Sequence, residues 1–155
     1  MQKQFTLAMQ VNDRISQLHQ AVNEIRDLRS QIQNLHKRFG DDQRLKPALA
    51  AADDLDHKMS EVEQKLIQVN MKGSEANLAF PNMLNERFDT FSHVIESGDK
   101  EPTKPQLEVF QMLSSQLDEQ LKKWAQVKQE DVAKVSELIK QANLPALIIT
   151  EKKSG

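Results

Sequence analysis

Val11, Ile15, Leu18, Val22, Ile25, Leu28, Ile32, Leu35 and Phe39 follow one another at intervals of three or four residues. The mean spacing, about 3.5 residues, is the seam of a long helix packed against partner helices. The same grammar recurs along the chain, and little else does. Lys3 to Phe39 is therefore expected as a first helix, closed by Gly40 as a left-handed C-terminal cap. Asp41 and Asp42 follow as turn residues able to cap the next helix.

Lys46 precedes Pro47 and is biased away from helical backbone, so the second helix is expected to start at Pro47. Its seam is Leu49, Ala52, Leu55, Met59, Val62, Leu66 and Val69, and Gly73 marks its end. Ser74 to Phe80 keep no clear period and read as a loop. Pro81 or Asn82 opens a short third helix with seam Leu84, Phe88, Phe91 and Ile95, ending at Gly98.

The fourth helix has the clearest start, a capping box of Thr103 and Gln106 with Pro105 in the first turn. Its seam is Phe110, Leu113, Leu117, Leu121 and Trp124, then Val132, Val135, Ile139 and Ala142. The eight-residue gap after Trp124 puts Lys128 on the seam, its stem packed and its amine expected in water. Pro145 closes the helix.

The expected elements are helices at about 3–39, 47–72, 82–97 and 104–143 and an extended tail at 144–149 in one domain over 1–150, with 151–155 frayed. At ~1.5 Å per residue the first and fourth helices span roughly 55 Å, the second roughly 40 Å and the third roughly 25 Å. Helices 2 and 3 laid end to end match the other two. The expected fold is all-α, an elongated antiparallel bundle of four helices in three layers with the middle layer broken. An up-down-up-down four-helix bundle is the alternative.

A chain of 155 residues is large enough to bury roughly 68–70% of its unfolded surface without disulfides or metals. Aromatics are 5% and Tyr is absent, so the core must be aliphatic, and 4 Gly with 5 Pro leave few turns. A net charge of −2 gives no global field for nucleic acid or acidic lipid, and the absence of Cys excludes disulfides and thiol catalysis. Met1 leads directly into amphipathic helix rather than a signal-peptide core. The longest strongly apolar run, Leu144 to Ile149, is too short to cross a bilayer.

Candidate chemistry is sparse. Asp53, Asp54, Asp56 and His57 are the densest set of potential ligands, and Asp53 and His57, four apart, share a helix face as a metal pair would. Leu55 and Met59 set the core face, so the cluster is expected to be a solvated charged face. His19 and His36 follow seam residues and should flank the core, and His93 is isolated. Glu61, Glu63, Asp118 and Glu119 could pair for acid–base work but read as polar-face residues. Lys122 and Lys123 beside Trp124 suggest base stacking, yet Trp124 lies on the seam and is expected in the core. Acidic Asp13, Glu24 and Asp27 interrupt the cations of the first helix, which removes a basic stripe. Apolar residues exceed a narrow stripe at Phe5, Leu7, Ala8, Met9 and Val11 and at Ile67, where either several neighbours share the core or a docking surface begins.

Two stretches go beyond bundle grammar. One is Phe80-Pro81-Asn82-Met83-Leu84-Asn85-Glu86-Arg87-Phe88, continuing to Val94-Ile95-Glu96-Ser97-Gly98-Asp99. The other is Glu108-Val109-Phe110, then Leu113-Ser114, Gln116 to Leu121, and Trp124. With Gly40-Asp41-Asp42 and Ala50 to Asp53 they resemble the C-terminal helical region of bacterial sortilin-like, neuraminidase-repeat β-propeller proteins labelled glycosyl hydrolases. The likeness runs from about Phe5 to Ile149. It implies an accessory helical region of a secreted or periplasmic protein, with any hydrolase site on the propeller. This chain has neither propeller nor Ser-x-Asp-x-Gly-x-Thr-Trp box, so no catalytic residue carries over.

The expected function is a non-enzymatic structural or interaction module without cofactor or metal. Its partner is another domain or protein chain, or a second copy of itself, and neither nucleic acid nor a membrane span. Phe80, Pro81, Asn82 and Asn85 are expected to build the junction into the third helix, with Trp124 in the core and Leu147, Ile148 and Ile149 available for docking. The alternative is a free-standing binding or adaptor module whose apolar groove takes a partner helix or unfolded chain.

Overall fold

A computed structural model of the protein describes residues 2–69, 83–97 and 101–142. Their elements are α1 (Gln2–Phe39), a 3-10 turn (Gln43–Leu45), α2 (Lys46–Leu66), α3 (Leu84–Ser97), α4 (Lys104–Val127), a π turn (Lys128–Val132) and α5 (Ala133–Gln141). No strand occurs among the described residues, and the fold class is all-α.

Contacts divide the chain into two compact units. The first is Met1–Gln20 with Glu63–Leu121, and the second is Ala21–Val62 with Lys122–Gly155. In the first unit Leu7, Val11 and Leu18 of α1, Leu66 of α2, the whole α3 seam (Leu84, Phe88, Phe91, Ile95) and Leu113 and Leu117 of α4 are buried. Phe91 also stacks on Phe110 at a centroid distance of 6.4 Å. In the second unit the α1 seam from Val22 to Leu35 is buried with Leu55, Met59 and Val62 of α2 and with Trp124, Val135 and Ile139. Each such aliphatic side chain contributes about 1.5–3 kcal/mol on burial, which is what overrides the modest propensity of any one segment.

Polar pairs fix the direction of α1 against α2 within the second unit. Arg29 bonds Asp56 at 2.9 Å and Ser60 at 3.1 Å, while His36 bonds Asp53 at 2.7 Å. Positions rise on one helix as they fall on the other, so the two run antiparallel.

Several boundaries depart from the sequence reading. Gly40 does not occupy the left-handed region; a Cβ there would lie 2.6 Å from the His36 carbonyl oxygen, so lack of space requires glycine. The turn is closed instead by the Asp42 N–H on the Phe39 carbonyl at 3.0 Å. Asp42 caps the 3-10 turn by accepting the Arg44 N–H, and the Arg44 side chain, then that N–H, hold its carboxyl below its ordinary value. With the folded value lowered, this cap's contribution is present at neutral pH and is lost as pH falls through it. Lys46 is helical despite Pro47 (φ −51, ψ −47), because its N–H continues the 3-10 turn onto Gln43.

The second helix ends at Leu66 rather than near Gly73, and Val69 is 39% exposed instead of on a seam. The Gln68 N–H has left the helix for the Glu86 carboxylate at 3.0 Å. The third helix starts at Leu84, two or three residues later than Pro81 or Asn82. The fourth begins as read: Thr103 N–H donates to Gln106 Oε1 at 2.9 Å and Gln106 N–H to Thr103 Oγ1 at 3.2 Å.

The eight-residue gap after Trp124 has a backbone cause. Residues 128–132 form a π turn, and Val127 and Ala133 on either side keep right-handed helical backbone. An ordinary helix would rotate Val132 roughly 80° off the seam set by Trp124. The wider π turn absorbs one residue and returns Val132, Val135 and Ile139 to the core.

Candidate functional site

In the first unit, one carboxylate organises the passage from α2 to α3. Glu86 Oε1 accepts the backbone N–H of Gln68 at 3.0 Å and of Met83 at 3.1 Å. The first contact ends α2 and the second caps α3 at the third helical position, half of a capping box. Glu86 Oε2 accepts the Asn85 carboxamide N–H at 2.8 Å, and Asn85 Oδ1 meets His19 Nε2 at 2.7 Å. A chain of polar contacts thus ties α1 to both ends of the passage. Asn85 is a partner of both Glu86 and His19. Phe80, Pro81 and Asn82 lie outside the described residues, as do Leu147, Ile148 and Ile149.

Glu86, not singled out from the sequence, does most of the joining. We expect Glu86→Ala to cost about 1–3 kcal/mol, the penalty for leaving part-buried N–H groups unpaired. Glu86→Gln should cost less, since its carbonyl can still accept. Chemical denaturation of the two variants checks the difference.

Beside the junction lies a cleft of about 270 Å³ lined by Lys65, Met83, Leu84, Arg87, Gln116 and Gln120, with Glu119 also on its wall. Gln120 is only 8% exposed. In the same unit, Arg14 pairs with Asp118 and donates to the Ser114 carbonyl at 3.0 Å.

The exposed large apolar side chains among the described residues are Met9, Val69, Val94, Leu107, Val109 and Met112, at 39–53% exposure. Every one belongs to the first unit. Leu107, Val109 and Met112, together with Phe110 and Leu113, make the opening turns of α4 apolar around roughly three-fifths of their circumference. Of these five only Leu113 is buried. Of the apolar excess near the N-terminus, Leu7 and Val11 enter the core while Met9 stays outside.

The second unit carries a polar triad built on one buried carboxylate. Glu24, 9% exposed, accepts the Trp124 indole N–H at 2.9 Å and the Lys128 ammonium at 3.2 Å on one oxygen. The Lys128 amine also sits 5.6 Å from the centre of the Trp124 ring, in cation–π range. Trp124 is in the core as expected, but the Lys128 amine meets a buried carboxylate rather than water alone. Glu24 reads in sequence as one of several charges interrupting α1, because its partners lie about a hundred residues away.

The Asp53, Asp54, Asp56 and His57 cluster is divided among other tasks. Asp53 is engaged by His36 and Asp56 by Arg29, while Asp54 and His57 line a shallow cleft of about 360 Å³ with the Lys58–Asp131 ion pair. Among the described residues no three of His, Cys, Asp and Glu converge closely enough to hold a metal ion. Of the other carboxylates, Glu61 and Glu119 are exposed and Asp118 pairs with Arg14, whereas Glu63 is 5% exposed and not on a polar face. His93 is exposed and bonds the Asp89 carbonyl at 2.8 Å, which raises its pKa. Among the described residues no helix is long and apolar enough to cross a membrane.

No protein-family model, curated protein or solved structure matches this chain.

Proposed function

We propose that this chain is a non-enzymatic interaction module that docks the parts of a larger assembly through its first unit. The observation that carries the reading is the segregation of exposed large apolar side chains among the described residues, all six of which belong to that unit. Large apolar side chains clustered in water on the opening turns of one helix, as Leu107, Val109 and Met112 are, are a liability unless a partner covers them. In the second unit polar contacts join Glu24 to Trp124 and Lys128, Arg29 to Asp56, and Lys58 to Asp131.

The residue likeness described above makes an extracytoplasmic, propeller-bearing protein the parent we propose, with this chain as its accessory helical part. A partner surface on the opening turns of α4 suits that role, because a helix apolar over most of its circumference requires neighbours on more than one side.

Light scattering across a hundredfold range of concentration tests the docking surface. We expect the mass of the wild-type chain to rise with concentration. The triple variant Leu107→Ser, Val109→Ser, Met112→Ser should stay at the mass of one chain, with its melting temperature preserved because the three side chains are exposed. A wild-type mass that stays constant throughout would contradict the surface.

A further inference from the structure

The cleft beside the α2–α3 passage has the chemistry of a peptide end. Gln120 lines it, is 92% removed from solvent, and makes no hydrogen bond with its side chain to any described residue. A carboxamide carries two donors and an acceptor. Those of Gln120 are not sealed from water, since among the described residues only the Ser114 hydroxyl is both buried and unpartnered, so they are open to whatever enters the cleft. Gln116 supplies a second carboxamide on the same wall, one helical turn away on α4.

The cations on the rim are Lys65 and Arg87, both exposed and neither engaged in an ion pair. Glu119, the one carboxylate on the wall, already has an interaction partner of its own. The nearby Glu86 carboxylate is consumed by Gln68, Met83 and Asn85. The cleft thus offers a guanidinium and an ammonium for an anion, carboxamides for an amide, and Met83 and Leu84 as an apolar wall. A free carboxylate, an adjoining amide and an apolar side chain occur together at the C-terminus of a peptide.

We propose that this cleft receives the C-terminal residue of a partner peptide, its carboxylate on Arg87 and Lys65, its amide on Gln120, and an apolar side chain against Met83 and Leu84. The assignment rests on the reading of the chain as an interaction module and gives that module a partner chemistry. A guanidinium fits a carboxylate in two-point geometry, so Arg87 carries most of the selectivity and Lys65 adds charge.

The test is a titration of the full chain, followed by NMR at the Gln120 side-chain amide, with N-acetyl-leucine as the probe. We expect a saturable shift. N-acetyl-leucinamide, which lacks the carboxylate, should bind about tenfold more weakly, and Arg87→Gln should weaken N-acetyl-leucine by a similar factor. Because Arg87 is exposed, that variant keeps its fold. 4-Methylpentanoate, which lacks the amide, should also bind several-fold more weakly, since it leaves Gln120 unpaired.

Absence of a saturable shift would overturn the proposal. Equal binding of the amide would remove the anion site, and equal binding of 4-methylpentanoate would reduce it to a plain carboxylate site without peptide recognition. The α4 surface is tested separately by light scattering. A failed titration with intact self-association discards only this inference, whereas loss of both discards the interaction reading.

Discussion

Trp124→Ala is expected to unfold most of the second unit at moderate temperature. Truncating a buried Trp costs about 3–5 kcal/mol in lost contacts and cavity, and Trp124 is 2% exposed. The same change removes the indole N–H from Glu24, adding about 1–3 kcal/mol for a buried acceptor left with fewer partners. A domain stabilised by about 5–15 kcal/mol has little left after that. Trp124→Phe separates the terms, because it keeps much of the ring and loses only the N–H. We expect its cost to be less than half that of Trp124→Ala in urea denaturation. Equal costs would mean that the Glu24 bond, not packing, dominates.

A single alanine inserted after Gln129 is expected to cost about 4–9 kcal/mol, far more than a surface insertion normally does. One extra residue rotates everything downstream by roughly 100°. Val132, Val135 and Ile139, all at most 5% exposed, would leave the core together, and each loses about 1.5–3 kcal/mol. Deleting Gln129 has the opposite logic. The π turn already absorbs one residue relative to an α-helix, so removing an exposed residue from it lets the segment relax to ordinary helix. Trp124, Val127 and the three downstream residues then stand at intervals of three or four, still in phase. We expect that deletion to change stability by less than about 1.5 kcal/mol. Circular dichroism melts of the insertion and the deletion, side by side, check the asymmetry.

The contrast between these two changes marks what was legible in the sequence. The seams were: Leu18, Ile25, Leu28, Leu55, Met59, Phe88, Leu117 and Ile139 are buried where their spacing puts them. Burial of an amphipathic face is a local signal, repeated often enough to survive single exceptions such as half-buried Ile15 and Leu121. The Thr103–Gln106 box was equally readable, because both halves of its chemistry lie within three residues.

The π turn left a visible trace, the gap between Trp124 and Val132, which reads first as a lysine on the seam. A missing member of a strict three-four alternation leaves a gap of seven, so a gap of eight carries one residue too many, and an absorbed residue accounts for it. Glu86 and Glu24 were not legible. Each acts through tertiary partners, Gln68 across an intervening segment for one and Trp124 on a distant helix for the other. Local pattern gives such residues only their polarity. The same holds for the α2 terminus, where apolar spacing continues to Val69 while the backbone N–H of Gln68 goes to Glu86.

We propose the opening turns of α4, and not the second unit, as the working surface. Hydrogen–deuterium exchange compared between dilute and concentrated protein tests this most directly, because it locates whatever association occurs. We expect concentration-dependent protection over residues 104–112, with accompanying protection around Met9 and Val94. Protection confined to the second unit, or exchange independent of concentration everywhere, would contradict it.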